Sequence, residues 1–216
     1  MNTFIEPLIL YAVLFFRIST GTMLSGEAVE NPVEFSTISE TARIFLYNIP
    51  SLALVWYLLL KVKSLKEWGI TLPGRRDLIP AVMTPPALIF IGLTISIASR
   101  HFDEIPSGSR FLPPPGFIPW IILIISCIST AYLEESFFRF YLLTKREEMG
   151  LGPHRAVLVS VVLFSLCHMY EGPWGFLNAV LSGVVLAFIF LRFRSLHGIA
   201  FGHALYNVLV YVMGTA

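Results

Sequence analysis

An all-α membrane protein, a polytopic bundle of about seven transmembrane helices with a cytoplasmic N-terminus, is the fold this sequence predicts. Two bulk observations and one pattern lead there. Of 216 residues, 56% are apolar and only 13% charged, against roughly 45–50% and about 25% in soluble chains. The mean hydropathy is +0.74. The apolar residues fall in runs of about 20, the length at which a helix crosses a hydrocarbon core. Together these exclude an ordinary water-soluble globule, a disordered chain and a collagen-like repeat. Fifteen Lys and Arg against fourteen Asp and Glu leave a net charge of +1. That is not the basic surplus that nucleic-acid binding requires, so no nucleic-acid partner is expected. Cys127 and Cys167 sit inside apolar runs, as small core residues rather than a disulfide framework.

The spans run near residues 4–23, 41–61, 78–99, 118–143, 155–171, 173–192 and 196–213. The first begins Phe4-Ile5-Glu6-Pro7 and lacks a basic leader and a small-residue cleavage site. It is therefore expected to be a retained helix, not a removed signal peptide. The third carries Pro80, Pro85 and Pro86, which predicts a kink. Pro113-Pro114-Pro115 reads as a stiff loop before the fourth span. The fifth is short and ends at His168-Met169-Tyr170-Glu171-Gly172-Pro173, a tight turn into the sixth. His101 is expected in an outer loop, and His154 and His197 at inner span ends. No internal repeat or low-complexity tract is evident. Residues 1–117 carry spans without chemical motifs, and residues 118–213 carry all of the motifs.

Orientation follows from the basic residues, which favour the cytoplasmic side. Lys61, Lys63, Lys66, Arg75, Arg76, Lys145, Arg146, Arg155, Arg192 and Arg194 all fall on one side of the weave. Arg17, Arg43, Arg100 and Arg110 fall on the other, with Glu27, Glu30, Glu34 and Glu40 in its first loop. Lys66-Glu67-Trp68-Gly69, with Leu65 and Ile70, is either a short interfacial piece with Trp68 at headgroup level or an ordinary loop.

Three charges do not sit at span ends. Glu134, Glu135 and Arg139 lie within the fourth span, where a charge costs roughly 2.5–3.5 kcal/mol on insertion scales. Glu135 and Arg139 are four apart and share a helix face, so they can pair. Glu134 points about 100° away and stays free for other chemistry. The fifth span adds His168. The seventh adds His203 and Asn207 on one face. Counted from the basic ends at 1.5 Å per residue, these groups lie about 10–18 Å deep. That common depth points to one site approached from the cytoplasm. Cys167 and His168 are helix neighbours that diverge in direction, so thiol activation is not expected.

Motif by motif, the chain resembles the CAAX-protease and bacteriocin-processing family of intramembrane endopeptidases. Glu134, Glu135 and Arg139 match its first motif, Phe164 and His168 its second, and His203 and Asn207 its third. Phe140 stands where many relatives carry glycine. The resemblance implies a glutamate-dependent peptidase with no cofactor, in the plasma membrane of a prokaryote. It also implies hydrolysis near the C-terminus of a membrane-associated, lipidated or anchored protein or peptide.

The chemistry is consistent with that. Withdrawal from bulk water makes a carboxylate a better proton acceptor. The expectation is that Glu134 and His168 activate water and that His203 and Asn207 donate to the oxyanion. Glu135, Arg139 and Phe164 would support them. Two alternatives stay open. Glu134, His168 and His203 form a chemically fair zinc set. Buried acids in a kinked bundle also suit a non-enzymatic immunity or transport protein.

Overall fold

The computed structural model describes residues 5–16, 35–102 and 114–213. Arg17, Glu27, Glu30, Glu34, Arg110 and Pro113, and the first span beyond residue 16, lie outside the described residues. Those described form seven helical rods and no strand. Five are long and apolar enough to cross a membrane, and two apolar helices are shorter. The protein is a multi-pass membrane protein.

Helix α1 runs Ile5–Tyr11 and continues as a π-helical turn, Ala12–Phe16. Helix α2, Thr37–Leu60, starts at Ser36, whose hydroxyl accepts the Ser39 N–H at 3.3 Å. That satisfies one of the donors left open at a helix start. Helix α3, Arg75–His101, is long and unbroken, and His101 closes it rather than lying in a loop. Its start is fixed by Asp77, which accepts the Gly74 N–H at 2.7 Å.

Pro80, Pro85 and Pro86 lie inside α3 without ending it. Pro85 has no N–H for the Ala81 carbonyl, and that carbonyl lies against Gly202 of α7, Leu196–Met213. A Cβ on Gly202 would come 2.9 Å from Ala81 O and 2.6 Å from Thr84 Cβ. Close approach of α3 and α7 therefore depends on that glycine. Ser195, just before α7, ties the two rods together: its hydroxyl donates to Asp77 and accepts the Gly198 N–H at 2.9 Å.

Helix α4, Phe117–Thr144, holds a π-helical stretch, Glu135–Tyr141. Helix α5, Pro153–Leu166, has only 14 residues. It stops before His168, which lies in the connection to α6, Met169–Phe193. A 3-10 turn, Met169–Glu171, opens α6, and Arg194 ends it at φ 52°.

The core is aromatic where α1, α4, α5 and α6 meet. Phe15, Phe137, Phe138, Phe140, Tyr141, Phe164 and Phe190 are all buried. Trp68 belongs to its edge. Its indole N–H donates to Leu59 O at 3.0 Å and its ring meets Phe140 at 6.0 Å. The loop residue thus packs on the bundle's end.

Candidate active site

The π stretch opens at Glu135, the residue after Glu134. A widened turn changes which way successive side chains leave a helix, and here the two glutamates part. Glu135 is fully buried. One of its oxygens accepts from His203 Nδ1 at 2.8 Å. The other lies 3.3 Å from Arg139 Nε. Arg139 is also fully buried, and its guanidinium stands 4.2 Å from the centroid of the Phe164 ring. None of its nitrogens has a hydrogen-bond partner. Charge and the π face hold this cation in place.

Phe164 does a second job with its backbone. Because α5 ends at Leu166, the Phe164 carbonyl is among the last four, which have no intrahelical donor. His168 Nδ1 lies 2.8 Å from it. A carbonyl only accepts, so Nδ1 carries the proton and neutral His168 has its acceptor at Nε2. Cys167 Sγ donates to the same carbonyl at 2.9 Å. Cys167 Sγ also lies 3.6 Å from His168 Nδ1, but that nitrogen already carries a proton and cannot take one from the thiol. The Phe164 ring also faces His168, at 4.6 Å between centroids, and His203, at 6.3 Å.

His203 stands between the two carboxylates. Its Nδ1 is bound by Glu135, and its Nε2 lies 3.7 Å from Glu134. Glu134, His168, His203 and Asn207 all line one cavity of about 410 Å³. Glu135 and Arg139 lie behind its wall. The groups the sequence singled out are therefore brought together, in a layer that faces the cavity and a layer that supports it.

Several other cavity residues escape the motif reading. Asn178 and Ser182 line it from α6, and Asn178 Oδ1 and Ser182 Oγ are buried without a hydrogen-bond partner. Their signal is two polar residues four apart in an apolar span. Arg43 also lines it, paired with Glu40 and bonded to Ser126 Oγ at 2.6 Å. His197, by contrast, is a structural bridge. It joins Tyr132 Oη and Thr71 O, each at 2.9 Å.

The expected approach from the basic-loop side needs correction. The depth count ignored what fills the bundle below Glu134. Residues 135–143 of α4 are all buried, and their aromatic side chains plug that end. The cavity extends the other way, up to Ser99 of α3 and Tyr211 of α7, near the ends of those helices.

Residues 116–209, which take in α4 to α6 and most of α7, match the family model described as type II CAAX prenyl endopeptidase Rce1-like. This segment is similar to that family. All seven motif residues fall within it. No curated protein and no solved structure matches the chain. That family is one of membrane endopeptidases with protein substrates. A zinc version would need Glu134, His168 and His203 to converge on one point. Among the described residues no three His, Cys, Asp or Glu side chains form such a group.

Proposed function

We propose that this protein is a glutamate-dependent intramembrane endopeptidase that hydrolyses a peptide bond near the C-terminus of a membrane-associated protein. One observation carries the reading: Glu134, His168, His203 and Asn207, from three separate segments, line the same cavity. Water held by Glu134 and His168 Nε2 gives its proton to Glu134, and its oxygen attacks the scissile carbonyl. Asn207 donates to the oxyanion that develops, and His203 does so through Nε2–H when its ring carries both protons, Nδ1–H being committed to Glu135. As the intermediate collapses, the C–N bond breaks and Glu134 returns the proton to the leaving amine. Glu135 holds His203 in orientation, and Arg139 and Phe164 hold Glu135 and His168. No metal is required in this scheme.

The test uses purified protein in nanodiscs with a farnesylated CAAX-type peptide, and terminal proteomics of expressing membranes where that peptide is not cut. Glu134→Gln is expected to lower turnover by about 100- to 10,000-fold, with KM and thermal stability kept. Activity is expected to survive chelation. Wild-type turnover in Glu134→Gln would refute the role of Glu134. Loss of activity with chelator and its return with zinc would install the metal version instead.

A further inference from the structure

We infer that the cavity opens on the extracytoplasmic side, so that its substrate is a segment of an exported or outward-facing membrane-anchored protein rather than a lipidated tail on the cytoplasmic surface. The substrate class rests on the proteolytic reading; the direction of opening does not.

Two independent observations give the direction. The first is where the charges lie. All ten basic residues from Lys61 to Arg76, Lys145 to Arg155 and Arg192 to Arg194 sit in the connections at one end of the rods, or in the helix turns beside them. At the other end the described residues supply only Arg43 and Arg100. Basic connections this short stay cytoplasmic.

The second observation is the shape of the cavity. Its walls come from residues 88–99 of α3, 127–134 of α4, 174–182 of α6 and 203–211 of α7. Each stretch runs from mid-rod toward the end with few basic residues. Below Glu134 the way is shut. Phe137 and Phe138 have no exposure, and Tyr141, Leu142 and Leu143 have 1% each. A peptide reaching Glu134 must therefore enter from the end that the charges place outside. Trp174 stacks on Phe102 at that end, with 6.0 Å between centroids. Such rings suit the headgroup level.

The test is cysteine accessibility in spheroplasts of an expressing bacterium. Cys127 and Cys167 are first replaced by alanine. Three single-cysteine variants follow: Ser64→Cys in a basic connection, Pro115→Cys at the opposite end, and Ile95→Cys in the cavity wall. A membrane-impermeant thiol reagent is expected to label Pro115→Cys and Ile95→Cys in intact spheroplasts, and Ser64→Cys only after permeabilisation. The reverse pattern, or Ile95→Cys protected until permeabilisation, overturns the inference. Termini that change between wild type and Glu134→Gln membranes are expected in outward-facing segments; cytoplasmic ones would overturn the substrate class. If no termini change, the proteolytic reading fails with its substrate class, while the labelling still decides the opening.

Discussion

Removing the Arg139 guanidinium exposes how the supporting layer works. Arg139 and Glu135 have no solvent exposure and stand 3.3 Å apart. At an effective dielectric of 20 their attraction is about 5 kcal/mol. The Phe164 face, 4.2 Å from the cation, adds up to about 2 kcal/mol. Much of this offsets desolvation, so the pair as a whole stabilises little. Breaking it from one side is different, because a carboxylate is left buried without its counter-charge. Arg139→Met is therefore expected to cost about 3–5 kcal/mol. Glu135→Gln with Arg139→Met should recover most of that loss, since the glutamine oxygen still accepts from His203 Nδ1. The assay is reversible denaturation in mixed micelles of wild type, both single variants and the double variant. Arg139→Met within about 1 kcal/mol of wild type, or a double variant as unstable as the two single losses summed, would refute the reasoning.

Three other expectations can be checked alongside. Asn207→Ala should reduce turnover by about 100- to 1,000-fold with little change in stability, in the peptide cleavage assay. Phe164→Leu keeps the carbonyl that holds His168 but removes the ring under Arg139. It should lower stability by about 1–3 kcal/mol while His168→Ala, at the same temperature, hurts turnover more. Gly202→Ala places a Cβ 2.6 Å from Thr84 Cβ and should cost about 1–3 kcal/mol by forcing α3 and α7 apart, read as a lower unfolding midpoint.

The hydropathy and the basic connections made most rods legible. Runs of apolar residues and their charged ends are one-dimensional signals, and they locate α3, α4 and α7 within a few residues. The supporting pair was legible too, because Glu135 and Arg139 four apart must share a face. The π stretch was not. Nothing in the composition of Glu135–Tyr141 distinguishes a wide turn from an ordinary one. Nor could the sequence say which end of the bundle is plugged. Counting depth along a rod treats the space beneath a residue as open, and the buried rings of Phe137, Phe138 and Tyr141 fill it. The double use of Phe164 was also hidden, because a helix must stop at Leu166 before that carbonyl becomes available.

The short reach of α5 has a consequence for the lipid around it. Its 14 residues extend about 21 Å, well under the roughly 30 Å of hydrocarbon in a typical bilayer. Leu158 and Val162 face outward, 63% and 45% exposed, so acyl chains meet this rod directly. Such hydrophobic mismatch is relieved by local thinning of the leaflet. Thinning at the Leu166 end would bring headgroups and their hydration closer to His168, which lies just past it.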